Sequence, residues 1–68
     1  MSYWNYRVVK KEDYFGIHEA YYEDGEEKPN FVSMEEMSPH GETLDELKKD
    51  LQMFAEALDK PILHYEDF

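Results

Sequence analysis

The sequence contains no cysteine. That excludes a disulfide framework, a thiolate metal centre and a cysteine nucleophile. Basic residues are scarce: seven Lys and Arg stand against seventeen Asp and Glu, a formal charge of −10. Nucleic-acid affinity comes largely from cations neutralising phosphates, so direct DNA or RNA binding is not expected. No apolar run exceeds a few residues, and no membrane span can be built from such runs. The N-terminal stretch Met1-Ser2-Tyr3-Trp4-Asn5-Tyr6-Arg7 has no basic segment followed by an apolar one, so no secretory signal is expected. Together with the lack of cysteine this predicts a reducing, cytoplasmic setting. Aliphatic residues are few, with Val, Ile and Leu numbering ten.

Aromatic residues fill the gap. Six Tyr, four Phe and one Trp make up 16% of the 68 residues. Each buries about 150–250 Å², so a few suffice for a small core. Disordered acidic chains are poor in aromatics, and a folded domain is therefore predicted. The length fits one domain, residues 1–68.

Residues 3–10 alternate with period two and predict a strand, with Trp4, Tyr6 and Val8 on one face. Lys10 to Asp13 is a polar turn. Residues 14–23 predict a second strand, with Phe15, Ile17 and Tyr21 on one face. The Asp24-Gly25 pair lies in the loop that follows, a strong hairpin signal. Residues 30–36 predict a third strand and residues 61–65 a short fourth one, with Pro61 at its first position.

The clearest element lies between these last two. Thr43 and Glu46 have capping-box spacing: the hydroxyl accepts from the Glu46 N–H and the carboxylate reaches back to the Thr43 N–H. Leu44, Leu47, Leu51, Phe54 and Leu58 then recur at steps of three and four, predicting one buried helical stripe. Pro61 disfavours helical geometry at Lys60, so the helix ends by about Asp59. The fold class is α+β: a small β-β-β-α-β domain, an antiparallel sheet with one helix packed on one face.

A single helix leaves the second sheet face uncovered. The alternation places Tyr3, Val9, Tyr14, His18, Tyr22 and Phe31 there. That is too apolar for a solvated face, and such patches mark interfaces. These six residues are the predicted partner surface. The charge favours a basic protein partner, and the apolar face equally suits a homodimer.

Catalytic machinery is not legible. His18, His40 and His64 are the usual general-base candidates, and none has a partner constellation. His40 precedes the helix start, where free N–H groups attract anions. Glu42, Asp45 and Glu46 oppose an anion there. The carboxylate run Glu23 to Glu27 does not fit a calcium loop. No serine has a nucleophile-elbow context, and no Gly-rich phosphate loop is present. Neither an enzyme nor a cofactor or metal site is expected. A small-ligand or metal function at the His40 loop stays open as the third reading.

The stretch Ser38 to Leu58 resembles the hallmark segment of the HicB antitoxin family. Gly41-Glu42-Thr43-Leu44, Glu46 and Glu56-Ala57-Leu58 carry the likeness, and the hairpin from Tyr6 to Tyr22 is similar to the family's opening strands. The resemblance covers the toxin-binding half of that family. It implies a β-β-β-α-β fold akin to double-stranded-RNA-binding domains, and a role in masking a small basic toxin. The family's Pro-Asp-Leu-Pro-Gly-Cys-type loop and its DNA-binding module have no counterpart in the sequence.

Overall fold

The computed structural model describes residues 2–68. Strands β1 (Tyr3–Lys11), β2 (Tyr14–Tyr22) and β3 (Phe31–Val32) precede helix α1 (Leu44–Ala57), strand β4 (Leu63–His64) and a 3-10 turn over Tyr65–Asp67. The sheet order is β3-β2-β1-β4. The class is α+β, and the elements follow the order read from the sequence. The sheet is mixed rather than antiparallel throughout, because β4 runs parallel to β1. The helix is the reason: a crossover returns the chain to the end of the sheet from which β1 starts.

The β1–β2 hairpin is the frame. Nine residue pairs run from Tyr3↔Tyr22 to Lys11↔Tyr14. Aromatic and β-branched side chains meet across it, including Trp4 with Tyr21 and Val8 with Ile17. The turn is tight, and Glu12 takes a left-handed φ of 57°. The third strand is far shorter than residues 30–36. Beyond Val32, Ser33 N–H donates to the Glu19 carbonyl and Met37 N–H to that of Ile17, while Met34 to Glu36 loop out between them.

Helix α1 begins as expected. Thr43 is extended, and its hydroxyl accepts from the Glu46 N–H at 3.1 Å. The Glu46 carboxylate reaches back one residue further than expected, to the Glu42 N–H at 3.0 Å. Gly41 lies against this first turn. A Cβ there would stand 2.5 Å from the Leu47 nitrogen, so only glycine fits.

The buried helical stripe differs from the leucine pattern. Ala57 is fully buried, and Leu47, Asp50 and Phe54 are half-buried. Phe54 and Ala57 pack on Tyr6 and Val8, with Ile17 and Met37 alongside. Leu44, Leu51 and Leu58 instead remain 67%, 48% and 70% exposed. The cause is the Tyr6 phenol, which donates to Asp50 Oδ1 at 2.9 Å and turns that side of the helix toward the sheet.

The second sheet face is not uncovered. Leu63 and Tyr65 pack on a core of Val9, Ala20, Tyr22 and Val32. Leu63 on the edge strand β4 and Tyr65 just after it thus cover part of that face.

Candidate functional site

Of the six residues predicted as a partner surface, the chain itself buries three: Val9, His18 and Tyr22. Leu63 on the edge strand and Tyr65 after it account for this. His18 Nδ1 lies 2.8 Å from the Ser33 carbonyl, which fixes the ring inside. Tyr3 stacks on Tyr22 with centroids 4.5 Å apart and stays half exposed. Tyr14 is exposed at the far end of the hairpin. Phe31 belongs to the opposite face, because it pairs with Tyr21 rather than with Ala20. The six therefore do not form one surface.

The structure assembles a different surface on the helix-bearing side. Trp4, Tyr21 and Phe31 lie in register across β1, β2 and β3. The alternation of each strand sends all three to the face that carries Tyr6. Phe54 and Ala57 of the helix cover Tyr6 and Val8 and leave the outer rings of this face uncovered. Tyr21 and Phe31 stack at 4.8 Å, and Trp4 meets Tyr6 edge-on at 5.2 Å. Trp4 and Phe31 remain 44% and 57% exposed.

Two shallow hollows flank Trp4. One, of about 300 Å³, lies among Trp4, Tyr21 and Phe31, and Glu23 is its one charged wall residue. The other, of about 390 Å³, holds Glu19, Glu46 and Asp50 against Lys49. The ladder is thus fringed by four carboxylates and one ammonium group. The Tyr21 hydroxyl donates to Glu19, and that bond, followed by desolvation, raises the phenol above its ordinary pKa. Sequence reading assigned Trp4 and Tyr21 to the face beneath the helix. The signal for the exposure of Trp4 is arithmetic: 14 helical residues with a small Ala57 in contact cannot cover so many rings.

Chemically, aromatic faces beside carboxylates suit a guanidinium or ammonium group. The ring quadrupole attracts the cation, and a carboxylate can accept from it in a charge-assisted bond. Trp, Tyr and Arg are also the residue types that dominate protein interfaces.

The other candidates gain little. His40 is exposed, and Asp50 Oδ2 accepts its backbone N–H at 2.9 Å. The donors at the helix start are therefore taken by the chain's own Asp50, Thr43 and Glu46. His64 is exposed on β4. Among the described residues no three His, Asp or Glu side chains converge as a metal site. No described helix is long and apolar enough to cross a membrane. No family model, curated protein or solved structure matches the chain.

Proposed function

We propose that this domain is an acidic protein-interaction module that captures a basic segment of a partner on the Trp4–Tyr21–Phe31 ladder. The observation that carries the reading is that ladder, in register across three strands with Trp4 and Phe31 exposed and Tyr21 half-buried between them, and bordered by Glu19 and Glu23. The net charge of −10 draws a basic partner in and speeds encounter. Occupation of the ladder covers the partner's basic surface, which is masking of the antitoxin kind. The HicB-like pattern of Gly41 to Leu58 supports the same reading.

Trp4 is the sole tryptophan and sits in the surface, so its fluorescence reports occupancy. Titration with a short Lys/Arg-rich peptide is expected to change the emission saturably. Affinity falls as salt shortens the Debye length from about 10 Å at 0.1 M. Phe31→Ser and Glu23→Lys weaken binding while Trp4 remains as the probe. A Gln-rich peptide of equal length binding equally well defeats the proposal, and so does an unmoved spectrum.

Self-association has an observation of its own. Leu44 and Leu51 on the exposed side of α1 and Leu58 at its C-cap recur every seven residues, where a second copy could meet them. Sedimentation showing a dimer that Leu51→Glu dissociates supports this reading. A monomer at high concentration removes it.

A further inference from the structure

Beneath the sheet, on the side away from the aromatic ladder, lies a cavity of about 600 Å³. Arg7 lines it and is only 7% exposed. Its guanidinium donates to the Tyr22 hydroxyl at 2.8 Å and to the Pro61 carbonyl at 2.6 Å. Both acceptors are neutral. No carboxylate among the described residues lies within ion-pair distance of Arg7. Its Nε is enclosed and makes no hydrogen bond.

A buried cation of this kind is normally paired. A planar carboxylate matches the guanidinium fork better than any other partner. The apolar walls are Pro29, Pro61, Ile62, Leu63 and Phe68. Such a volume, with mostly apolar walls and one buried polar anchor, falls in the range of small-molecule sites, about 300–1,000 Å³. Charges at the mouth restrict the choice further. Lys28 and His64 lie there with the exposed acids Glu27 and Asp67. Those two carboxylates repel a dianion, so phosphate and dicarboxylates are disfavoured.

The geometry points to a binding site for a small monocarboxylate with an apolar body, its carboxylate on Arg7 and its body against Ile62, Leu63 and Phe68. The site is separate from the aromatic ladder, and either can fail without the other.

The test is an NMR titration of the full chain with hexanoate, hexanol and inorganic phosphate. Hexanoate is expected to shift the Arg7 side-chain resonances and the Leu63 and His64 amides saturably. Hexanol, which lacks the charge, and phosphate, which lacks the body, bind at least about tenfold more weakly. Arg7→Gln abolishes hexanoate binding. Because Arg7 also holds Tyr22 and Pro61, a second variant guards against misfolding: Ile62→Asp, at a position 49% exposed, places a carboxylate in the wall and likewise abolishes binding. Hexanoate leaving these resonances unmoved overturns the proposal. Equal binding of hexanol or phosphate also overturns it, as does undiminished binding by a folded Ile62→Asp.

Discussion

The Tyr6 hydroxyl and the Asp50 carboxylate, 2.9 Å apart, join the central strand to the middle of the helix. The second oxygen of Asp50 accepts the backbone N–H of His40, so one side chain ties sheet, helix and the preceding loop together. Replacing Asp50 with Ala leaves the buried Tyr6 hydroxyl and the His40 N–H unpaired. The expected loss is about 1–3 kcal/mol, read as a lower urea midpoint with an unchanged slope. Tyr6→Phe removes the donor and leaves a carboxylate that water reaches, so it costs less, about 0.5–1.5 kcal/mol.

The same pair sets an alkaline limit. Burial, then the hydrogen bond to Asp50 and its charge, push the Tyr6 phenol from 10.0 up to about 12. A group whose pKa is raised by folding stabilises the fold fully below its unfolded pKa. That contribution is lost as pH climbs from about 10 through about 12. Tyrosinate absorbance is therefore expected to show a late phase from Tyr6 near pH 12, with the Tyr21 phenol also raised. In Tyr6→Phe the late phase attributable to Tyr6 disappears. Ionisation of all six tyrosines in one ordinary step contradicts this.

Glu12 holds φ at 57° with no glycine or asparagine to ease it. The left-handed region costs an ordinary L-residue about 1–2 kcal/mol. Glu12→Gly recovers part of this, and Glu12→Asn does the same with less loss of chain stiffness. Either is expected to raise Tm, at about 4–8 °C per kcal/mol for a domain of this size.

Gly41 is the opposite case. A methyl group there meets the Leu47 nitrogen and, at 2.8 Å, the Glu46 side chain. Neither the helix backbone nor the cap can yield easily. Gly41→Ala is expected to cost about 1–3 kcal/mol and to speed amide exchange in the first helical turn. A neutral melting curve would show that the loop moves freely.

The helix limits were legible because local chemistry sets them: a Thr43 hydroxyl at one end and Pro61 past the other. The β1–β2 pairing was legible from alternation alone. Which side of the helix turns inward was not. Leu44, Leu51 and Leu58 read as core, and Asp50 reads as solvated until its partner Tyr6 is seen across 44 residues of chain. Phe31 was misplaced because a one-residue shift in so short a strand reverses its faces. The covering of Val9, His18 and Tyr22 depends on Leu63 and Tyr65, whose contacts span most of the sequence and leave no local pattern. For the same reason the candidate surface moved from one side of the sheet to the other.

The parallel pairing of Val9 with Leu63 also orders events during synthesis. The hairpin can close as soon as residues 3–22 are available, since its contacts are local. The edge strand β4 and the cover that Leu63 and Tyr65 supply cannot form until residues 61–65 leave the ribosome. Until then the nascent hairpin shows water an apolar underside, with Val9, Ala20 and Tyr22 bare around the Arg7 cation. The many carboxylates elsewhere in the chain then act as a guard against premature association, keeping unfinished copies apart by repulsion.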